Sequence, residues 1–258
     1  MNKMRVSAPQ LAPFVAELGI KWDVSFWHVP SSEAWGNFPV RIECIPREKA
    51  HEIAVNDGVM RSPAWFIADL VGALCRASLA ERVDPCFATS RFGPASRRLD
   101  TQDPEKFRVL YNRFFLIHAH ADVWVGDVMH SHWPEISRQD SESLVGSAIG
   151  LAQDGQWEMI QSPTSLLGLG LNLGEIRRHD LDVADISPAL RGLGRAQRAF
   201  VFRFADFCRN LPRLSYNREQ DLRLLERTVS ESARLQGLSL QPRLIEDPEQ
   251  RQAVWEVV

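Results

Sequence analysis

Histidine and aspartate side chains crowd one short stretch of this sequence, FFLIHAHADVWVGDVMHSHW at residues 114–133. It holds four of the seven histidines in the 258-residue chain, together with two aspartates. Imidazole and carboxylate groups are ligand types that zinc, iron and manganese sites use. In a strand, alternate side chains share a face, so two imidazoles and a carboxylate would converge. The candidate metal ligands are His118, His120, Asp122, His130 and His132.

A helix would separate the same groups. Positions four apart share a helical face, so His118 and Asp122 stay neighbours while His120 lies on the far side. The helical apolar spacing that precedes the stretch runs on without interruption to Val128, and the interleaved alanines favour helix. We therefore predict a helix and keep the metal site as the alternative.

The pentapeptide HAHAD at residues 118–122 is similar to part of the HxHxDH signature of the metallo-β-lactamase family. Val123 stands where that family has its next histidine, and the β-rich layout of the family is absent on either side. The resemblance covers five residues. We carry none of the family's residue roles over to this chain.

A second candidate site is basic. Residues 187–218 contain seven arginines and a single acid, Asp206, whereas residues 1–186 hold 18 basic and 24 acidic residues. Arg191, Arg195 and Arg198 follow the i, i+4, i+7 spacing of one helix face, and guanidinium groups in such a row can hold phosphate oxygens bidentately. An aromatic residue in the following loop can stack on a base. The predicted nucleic-acid-binding residues are Arg191, Arg195, Arg198, Arg203, Arg209, Arg213, Tyr216 and Arg218.

The same arginines also suit salt-bridged packing or an acidic protein partner. The net charge of the chain is −3, which argues against strong non-specific binding to nucleic acid, because phosphate neutralisation dominates that affinity. Both interpretations stay open at this point.

Composition narrows the class of protein. No stretch approaches eighteen uninterrupted apolar residues, so we expect no membrane span. The four cysteines form no CxxC pair, so we expect reduced thiols and a cytoplasmic location. We also expect a protein of bacterial type. A GxGxxxG spacing at residues 168–174 lacks the strand before it that a dinucleotide site needs, and close backbone packing explains its glycines as well.

The elements that must position these groups are predicted as strands near the N-terminus, followed along the chain by long helices. Strands are predicted at 21–29 and 40–45, with weaker candidates at 157–161 and 238–245. Helices are predicted to start at four Ser-Pro or Asp-Pro pairs and also to span 217–235, where Gly237 can end the helix. The paired starts are Ser62-Pro63, Asp103-Pro104, Ser187-Pro188 and Asp247-Pro248.

This order predicts an α+β fold with a helix-dominated C-terminal half. We predict an α+β part at 1–100, a linker or long loop at 83–103, and a mainly helical part at 101–258. The helical part contains the Arg-rich helix at 188–211. The two parts can also form one continuous domain.

The favoured function is a non-catalytic component of a nucleoprotein or protein assembly, with nucleic acid and protein partners, no membrane and no cofactor. The Arg-rich helix would contact phosphates, and the tryptophan-rich N-terminal part would contact a protein. One alternative is a metal-dependent hydrolase built on His118, His120 and Asp122, whose zinc, iron or manganese ion would activate water. A second alternative is a regulator or inhibitor that acts by protein binding.

Overall fold

The computed structural model describes residues 4–29, 40–56, 63–118 and 121–257. The chain forms two compact units. Unit 1 combines Met1–Phe115 with Leu214–Val258, and unit 2 is Leu116–Arg213. The chain therefore leaves unit 1 and later returns to it, which differs from our division at residue 100. Periodicity along a sequence reports local structure and carries no information about such a return.

A mixed four-stranded sheet forms the N-terminal part of unit 1. Its strands are β1 (Met4–Val6), β2 (Asp23–His28), β3 (Val40–Ile45) and β4 (Ala50–Val55), in the order β1-β2-β4-β3. Strands β2 and β4 are parallel, whereas β1–β2 and β3–β4 are antiparallel. Phe26, Ile53 and Ile42 stand in register across three strands and are buried. This apolar row gives the sheet one face for packing.

Helices and a hairpin complete unit 1. They are α1 (Ala12–Glu17), α2 (Pro63–Arg82), α3 (Pro94–Gln102), α4 (Pro104–His118, which continues into unit 2), α11 (Arg218–Leu235), β5 (Pro242–Asp247) and β6 (Gln252–Val257). Helix α2 packs on β3. The rings of Phe114 and Trp255 lie 5.2 Å apart in the core, which joins the C-terminal hairpin to α4.

The prediction of a linker or long loop at 83–103 is wrong for Pro94–Gln102, which form helix α3, whereas residues 83–93 are mostly irregular. The backbone of this segment is tied to β6, since Trp255 N donates to Arg91 O at 2.7 Å and Gly93 N donates to Trp255 O at 2.9 Å. A short 3-10 turn and helix α3 follow the end of α2. The segment lacked a regular apolar period because hydrogen bonds to a distant strand, rather than one apolar face, fix it.

The regular structure in the described part of unit 2 is helical. Besides the end of α4 it contains α5 (Asp122–His132), α6 (Pro134–Gln153), α7 (Trp157–Ile160), α8 (Pro163–His179), α9 (Ser187–Arg191) and α10 (Arg195–Arg209). Its core is a cluster of aliphatic side chains that includes Val145, Leu173 and Val201. These apolar contacts hold α6, α8 and α10 together.

Two glycines let α8 and α10 approach closely. A Cβ atom on Gly170 would lie 2.7 Å from the ring of Phe204. A Cβ atom on Gly174 would lie 2.6 Å from Cys208 Cβ and 2.9 Å from the carbonyl oxygen of Ala205. Part of the GxGxxxG spacing is therefore explained by helix packing.

The α+β fold class is confirmed, and so are the strands predicted at 21–29 and 40–45. Helix α11 matches the predicted 217–235, and Gly237 follows it with φ +68°. The strand predicted at 157–161 is wrong, because this segment is helix α7. Its apolar residues are too few to distinguish the two periods.

The helix start predicted at Asp247-Pro248 is also wrong, since these residues begin the turn between β5 and β6. Asp247 Oδ1 accepts from the backbone N–H groups of Glu249 at 3.0 Å and Gln250 at 3.1 Å. An aspartate caps a turn with the same acceptor geometry that it uses at a helix start. The local sequence therefore could not separate the two structures.

The predicted Arg-rich helix at 188–211 consists of two helices, α9 and α10, separated by residues 192–194. A Cβ atom on Gly192 would lie 2.2 Å from the ring of Trp157, so glycine is needed where the chain turns against this ring. The side chain of Gln197 then accepts from Gly194 N at 2.9 Å and starts α10 afresh.

All four cysteines are buried and free of disulfides. In the described parts of the chain, no helix combines the length and the apolar character needed to cross a membrane.

Candidate nucleic-acid interface

Helix α10 has one apolar face and one charged face. Val201, Phe204 and Cys208 recur three or four residues apart and are buried, which fixes the rotation of the helix. The side chains on the opposite side are exposed. We call this side the arginine face, formed by Arg195, Arg198, Phe202, Arg203 and Arg209.

Three members of the arginine face form a line along the helix. Arg195, Phe202 and Arg209 are seven residues apart, which returns almost to the same side of an α-helix after two turns and about 10.5 Å. Arg198 precedes Phe202 by one turn. The phenyl ring therefore has a guanidinium group on either side of it along the helix axis.

The four guanidinium groups of the arginine face have no ion pair with any residue that the structure describes. The single acid on α10, Asp206, is bound instead by Arg177 of α8, whose Nη1 donates to Asp206 Oδ1 at 2.8 Å. The Arg177 guanidinium also lies 5.4 Å from the centre of the Phe202 ring. The face therefore keeps an uncompensated positive charge.

The predicted row of Arg191, Arg195 and Arg198 on one helix does not exist, because Arg191 ends α9 before the break. Arg191 is exposed, and its charge helps to lower the pKa of Asp185, after the hydrogen bonds from Ser187. Arg213 is also exposed and follows α10 in unit 2.

Tyr216 and Arg218 are not on α10 and so do not belong to the arginine face, since Arg218 begins α11 and Tyr216 precedes that helix. The Arg82 guanidinium covers the Tyr216 ring at 3.7 Å from its centre. Arg218 donates to the buried Asp84 at 2.6 Å and to Glu246 at 2.7 Å. Its charge is therefore neutralised within the fold, and Arg218 holds α11 to the end of α2.

The described residues of the histidine-rich stretch are mainly helical, as predicted, and they belong to two helices. Helix α4 ends at His118 and α5 begins at Asp122, while His120 lies outside the described residues. No group of three or more His, Cys, Asp or Glu side chains suited to a metal ion occurs among the residues that are described. His130 and His132 lie in the last turn of α5.

His130 takes part in a different arrangement, one that joins α5 to α8. Its ring stacks on that of His179, with centres 4.3 Å apart and planes 23° apart. His179 Nε2 lies 3.3 Å from Asp127 Oδ1, without the alignment of a hydrogen bond. Burial is the main cause that lowers the pKa of His179 to about 4, so this imidazole is neutral at pH 7.

Asp127 is held mainly by Arg178, not by histidine. Arg178 Nε and Nη2 donate to its two carboxylate oxygens at 2.6 and 2.7 Å. Arg178 Nη1 also donates to the backbone oxygens of Arg209 at 3.0 Å and Leu211 at 2.5 Å. The Arg178 side chain is only 6% exposed. It therefore binds the end of α10 and does not extend the arginine face.

Glu175 lies in the same region with an unusual charge state. The residue is half-buried, yet its carboxyl group is densely surrounded by protein, and this desolvation raises its pKa well above the ordinary value. The carboxylates of Asp140, Asp122 and Asp127 add to the increase. Gly126 faces this carboxyl group, since a Cβ atom there would lie 2.7 Å from Glu175 Oε1.

Unit 1 contains a Cys–His–Glu arrangement that the sequence analysis missed. Cys44 Sγ on β3 lies 2.9 Å from His51 Nδ1 on β4, and His51 Nε2 lies 3.1 Å from Glu81 Oε1 on α2. The ring of Trp22 stacks on His51 at 5.0 Å. Three elements contribute one residue each, so no local motif could reveal it. A signal was present in the strand alternation, which places His51 among inward-facing positions.

Burial makes this arrangement structural. Cys44 and His51 have no exposed surface. Desolvation raises the pKa of the Cys44 thiol to about 12 and lowers the pKa of His51. A nucleophilic cysteine needs thiolate character and access, and this one has neither. Glu81 also accepts from the backbone N–H groups of Lys21 at 2.8 Å and Trp22 at 2.9 Å, so the three side chains tie β2, β3, β4 and α2 together.

Comparison with known proteins adds no relative. No protein-family model, curated protein or solved structure matches the chain. The geometry of the arginine face therefore has to support any functional inference by itself.

Proposed function

We propose that this protein is a non-catalytic, cytoplasmic component of a nucleoprotein assembly and that it contacts nucleic-acid phosphates through the arginine face of α10. The observation that carries the proposal is the set of four exposed guanidinium groups with no ion-pair partner among the described residues. Arginine binds phosphate oxygens bidentately and keeps its charge at any physiological pH.

If carboxylates of this chain neutralised the arginines, the salt-bridged interpretation would be favoured instead. Arg178 and Arg218 follow that interpretation, since carboxylates of the chain bind both. Arg195, Arg198, Arg203 and Arg209 do not. Arginines close together in the sequence therefore differ in whether the chain neutralises them. An arginine-rich composition alone does not explain why these four are left without ion pairs.

Fluorescence polarisation with a labelled oligonucleotide tests the proposal. The triple variant Arg195→Glu, Arg198→Glu, Arg209→Glu removes three cations from the arginine face. Each phosphate contact contributes about 0.7 to 0.9 to the slope of log K against log salt. We therefore expect the variant to bind at least about 10-fold more weakly at 50 mM salt and to lose roughly two units or more of that slope.

A matched control has the same change in net charge at another place. Arg98, Arg113 and Arg227 are exposed and lie in unit 1. Their triple change to glutamate should leave most of the affinity intact. Equal losses in the two triple variants would show that only net charge matters, and the arginine face would then be excluded. Absence of binding by the unmodified protein would exclude the nucleic-acid function altogether.

A further inference from the structure

We infer that the arginine face binds single-stranded nucleic acid, with Phe202 stacking on an unpaired base while the flanking arginines hold phosphates. This inference rests on the proposed function and specifies its ligand. The decisive observation is that an aromatic ring stands in the line of unpaired arginines, 38% exposed. Exposure of an apolar surface to water at that position is unfavourable in free energy unless a partner covers it.

Phe202 differs from the other aromatic residues of α10. Phe204 is 1% exposed, and the rings of Phe200, Phe204 and Phe207 contact one another. Phe202 contributes nothing to that row, because it points to the opposite side of the helix. Among the described residues, its one cation–π or aromatic ring contact is with the Arg177 guanidinium, 5.4 Å from the ring centre. Part of the ring therefore remains available to a ligand.

Arg177 and Asp206 fix the surroundings of this ring. The ion pair between them joins α8 to α10 beside Phe202. Asp206 lies one turn beyond Phe202 on the same side of α10. A guanidinium held in this way is positioned to stack on a base or to bind a phosphate next to it. The ring and the cation thus form a small pre-organised platform.

A single strand fits this platform better than a duplex does. Bases in a duplex have both faces covered by their neighbours, so a phenyl ring cannot stack on them without unstacking a step. An unpaired base exposes its π face to any aromatic ring, whatever its sequence. The net charge of −3 also limits the electrostatic part of the affinity, so a contribution from stacking is needed.

The other aromatic candidate for stacking does not compete. Tyr216, predicted from sequence as the stacking residue, is 42% exposed, but Arg82 lies over one face of its ring at 3.7 Å and the residue is not on the helix that carries the arginines. Phe202 is on the same helix as the arginines that would hold the neighbouring phosphates. One rigid element therefore sets the spacing between ring and cations.

The test compares three labelled probes of equal length: oligothymidylate, the same backbone with abasic positions, and a duplex. Phe202→Leu keeps the apolar contact with the helix but removes the π face. We expect it to weaken binding of oligothymidylate by about 10-fold, the effect of losing one stacked base, with an unchanged salt slope. Binding of the abasic probe and of the duplex should stay within about twofold.

A control on the buried side of the same helix is Phe207→Leu, which should leave all three affinities unchanged if the variant is folded by circular dichroism. Equal binding of oligothymidylate by Phe202→Leu and the unmodified protein would overturn the inference. So would duplex binding that is tighter than single-strand binding.

The two proposals fail in distinguishable ways. If charge reversal of the arginines abolishes binding of every probe while Phe202→Leu changes nothing, the phosphate contact stands and the stacking falls. If the unmodified protein binds none of the probes, both fall, and an acidic protein partner becomes the explanation of the arginine face.

Discussion

Arg178 of α8 and Arg198 of α10 lie close together in the sequence, yet their surroundings give them opposite roles. The Arg178 side chain is 6% exposed and makes hydrogen bonds to a carboxylate and to backbone oxygens. Arg198 is exposed and has no such partner among the described residues. Spacing alone cannot separate these roles, because the acid that neutralises Arg178 is Asp127, about fifty positions earlier in the chain.

Glu175 is the residue whose environment leads to the clearest prediction. Its pKa is raised by desolvation and by neighbouring carboxylates, so the folded chain keeps this proton at a pH where the unfolded chain has released it. The contribution of Glu175 to the free energy of unfolding is therefore fully present below the ordinary glutamate pKa. It is lost as the pH rises above that value. Glu175→Gln, which cannot ionise, should raise the free energy of unfolding at pH 8.

Urea unfolding at about pH 5 and pH 8 measures this effect. The gain from Glu175→Gln should be larger at the higher pH. The matched control is Glu158→Gln, an exposed acid of unit 2, which should change stability little at either pH. A gain that is the same at both pH values would contradict the raised pKa.

At the scale of the elements, the sequence predicted those helices and strands that a local repeat of apolar residues defines. Strands β2 and β3 and helices α4 and α11 were predicted because their apolar residues repeat locally. The weaker strand candidate at 238–245 overlaps β5. Strand β4, strand β6 and the break between α9 and α10 were not predicted, because they depend on distant residues. The arginines of the candidate site were named from sequence, but Phe202 was not, because its exposure follows from how α10 rotates against α8.

The glycines of α8 give a prediction at this scale. Gly174→Ala would place a methyl group 2.6 Å from Cys208 Cβ and 2.9 Å from a backbone oxygen. Neither atom is the end of a flexible side chain, so the helices must separate. We expect a loss of about 1–3 kcal/mol in the free energy of unfolding, the usual cost of overpacking.

The control for this substitution lies on the same helix. A Cβ atom on Gly168 would meet no neighbouring side chain or helix within 4 Å, and the residue is exposed. Gly168→Ala should therefore stabilise the protein by about 0.5–1 kcal/mol, because alanine is the better helix former. Thermal unfolding of the two variants compares them directly. Equal stability would mean that α8 and α10 are not in close contact.

At the scale of the whole molecule, each unit contains a buried histidine that resists protonation. His51 in unit 1 and His179 in unit 2 both have lowered pKa values, mainly through desolvation. Each histidine also lies beside a carboxylate, Glu81 or Asp127, which partly opposes the shift. Each unit therefore contains a group that makes its folding sensitive to acid.

Acid should consequently destabilise the folded chain. Below the ordinary histidine pKa of 6.5, the unfolded chain takes up protons that the folded chain refuses until its own lower pKa is reached. The stability contributed by the neutral, buried histidines is present above pH 6.5 and is lost as the pH falls toward 4, where His179 ionises. His179 alone accounts for about 3 kcal/mol over this interval. Glu175 acts in the opposite direction, since it gains its proton as the pH falls.

Unfolding of the protein and of His179→Asn in urea, at several pH values between about 6.5 and 4, isolates the histidine from Glu175. The variant should lose less stability than the unmodified chain over this interval, because asparagine takes up no proton in either state. An NMR titration of the His179 ring in the folded protein gives the same quantity without a substitution. A ring that titrates near its ordinary pKa would show that His179 is hydrated, and its stacking on His130 would then not explain the packing of α5 on α8.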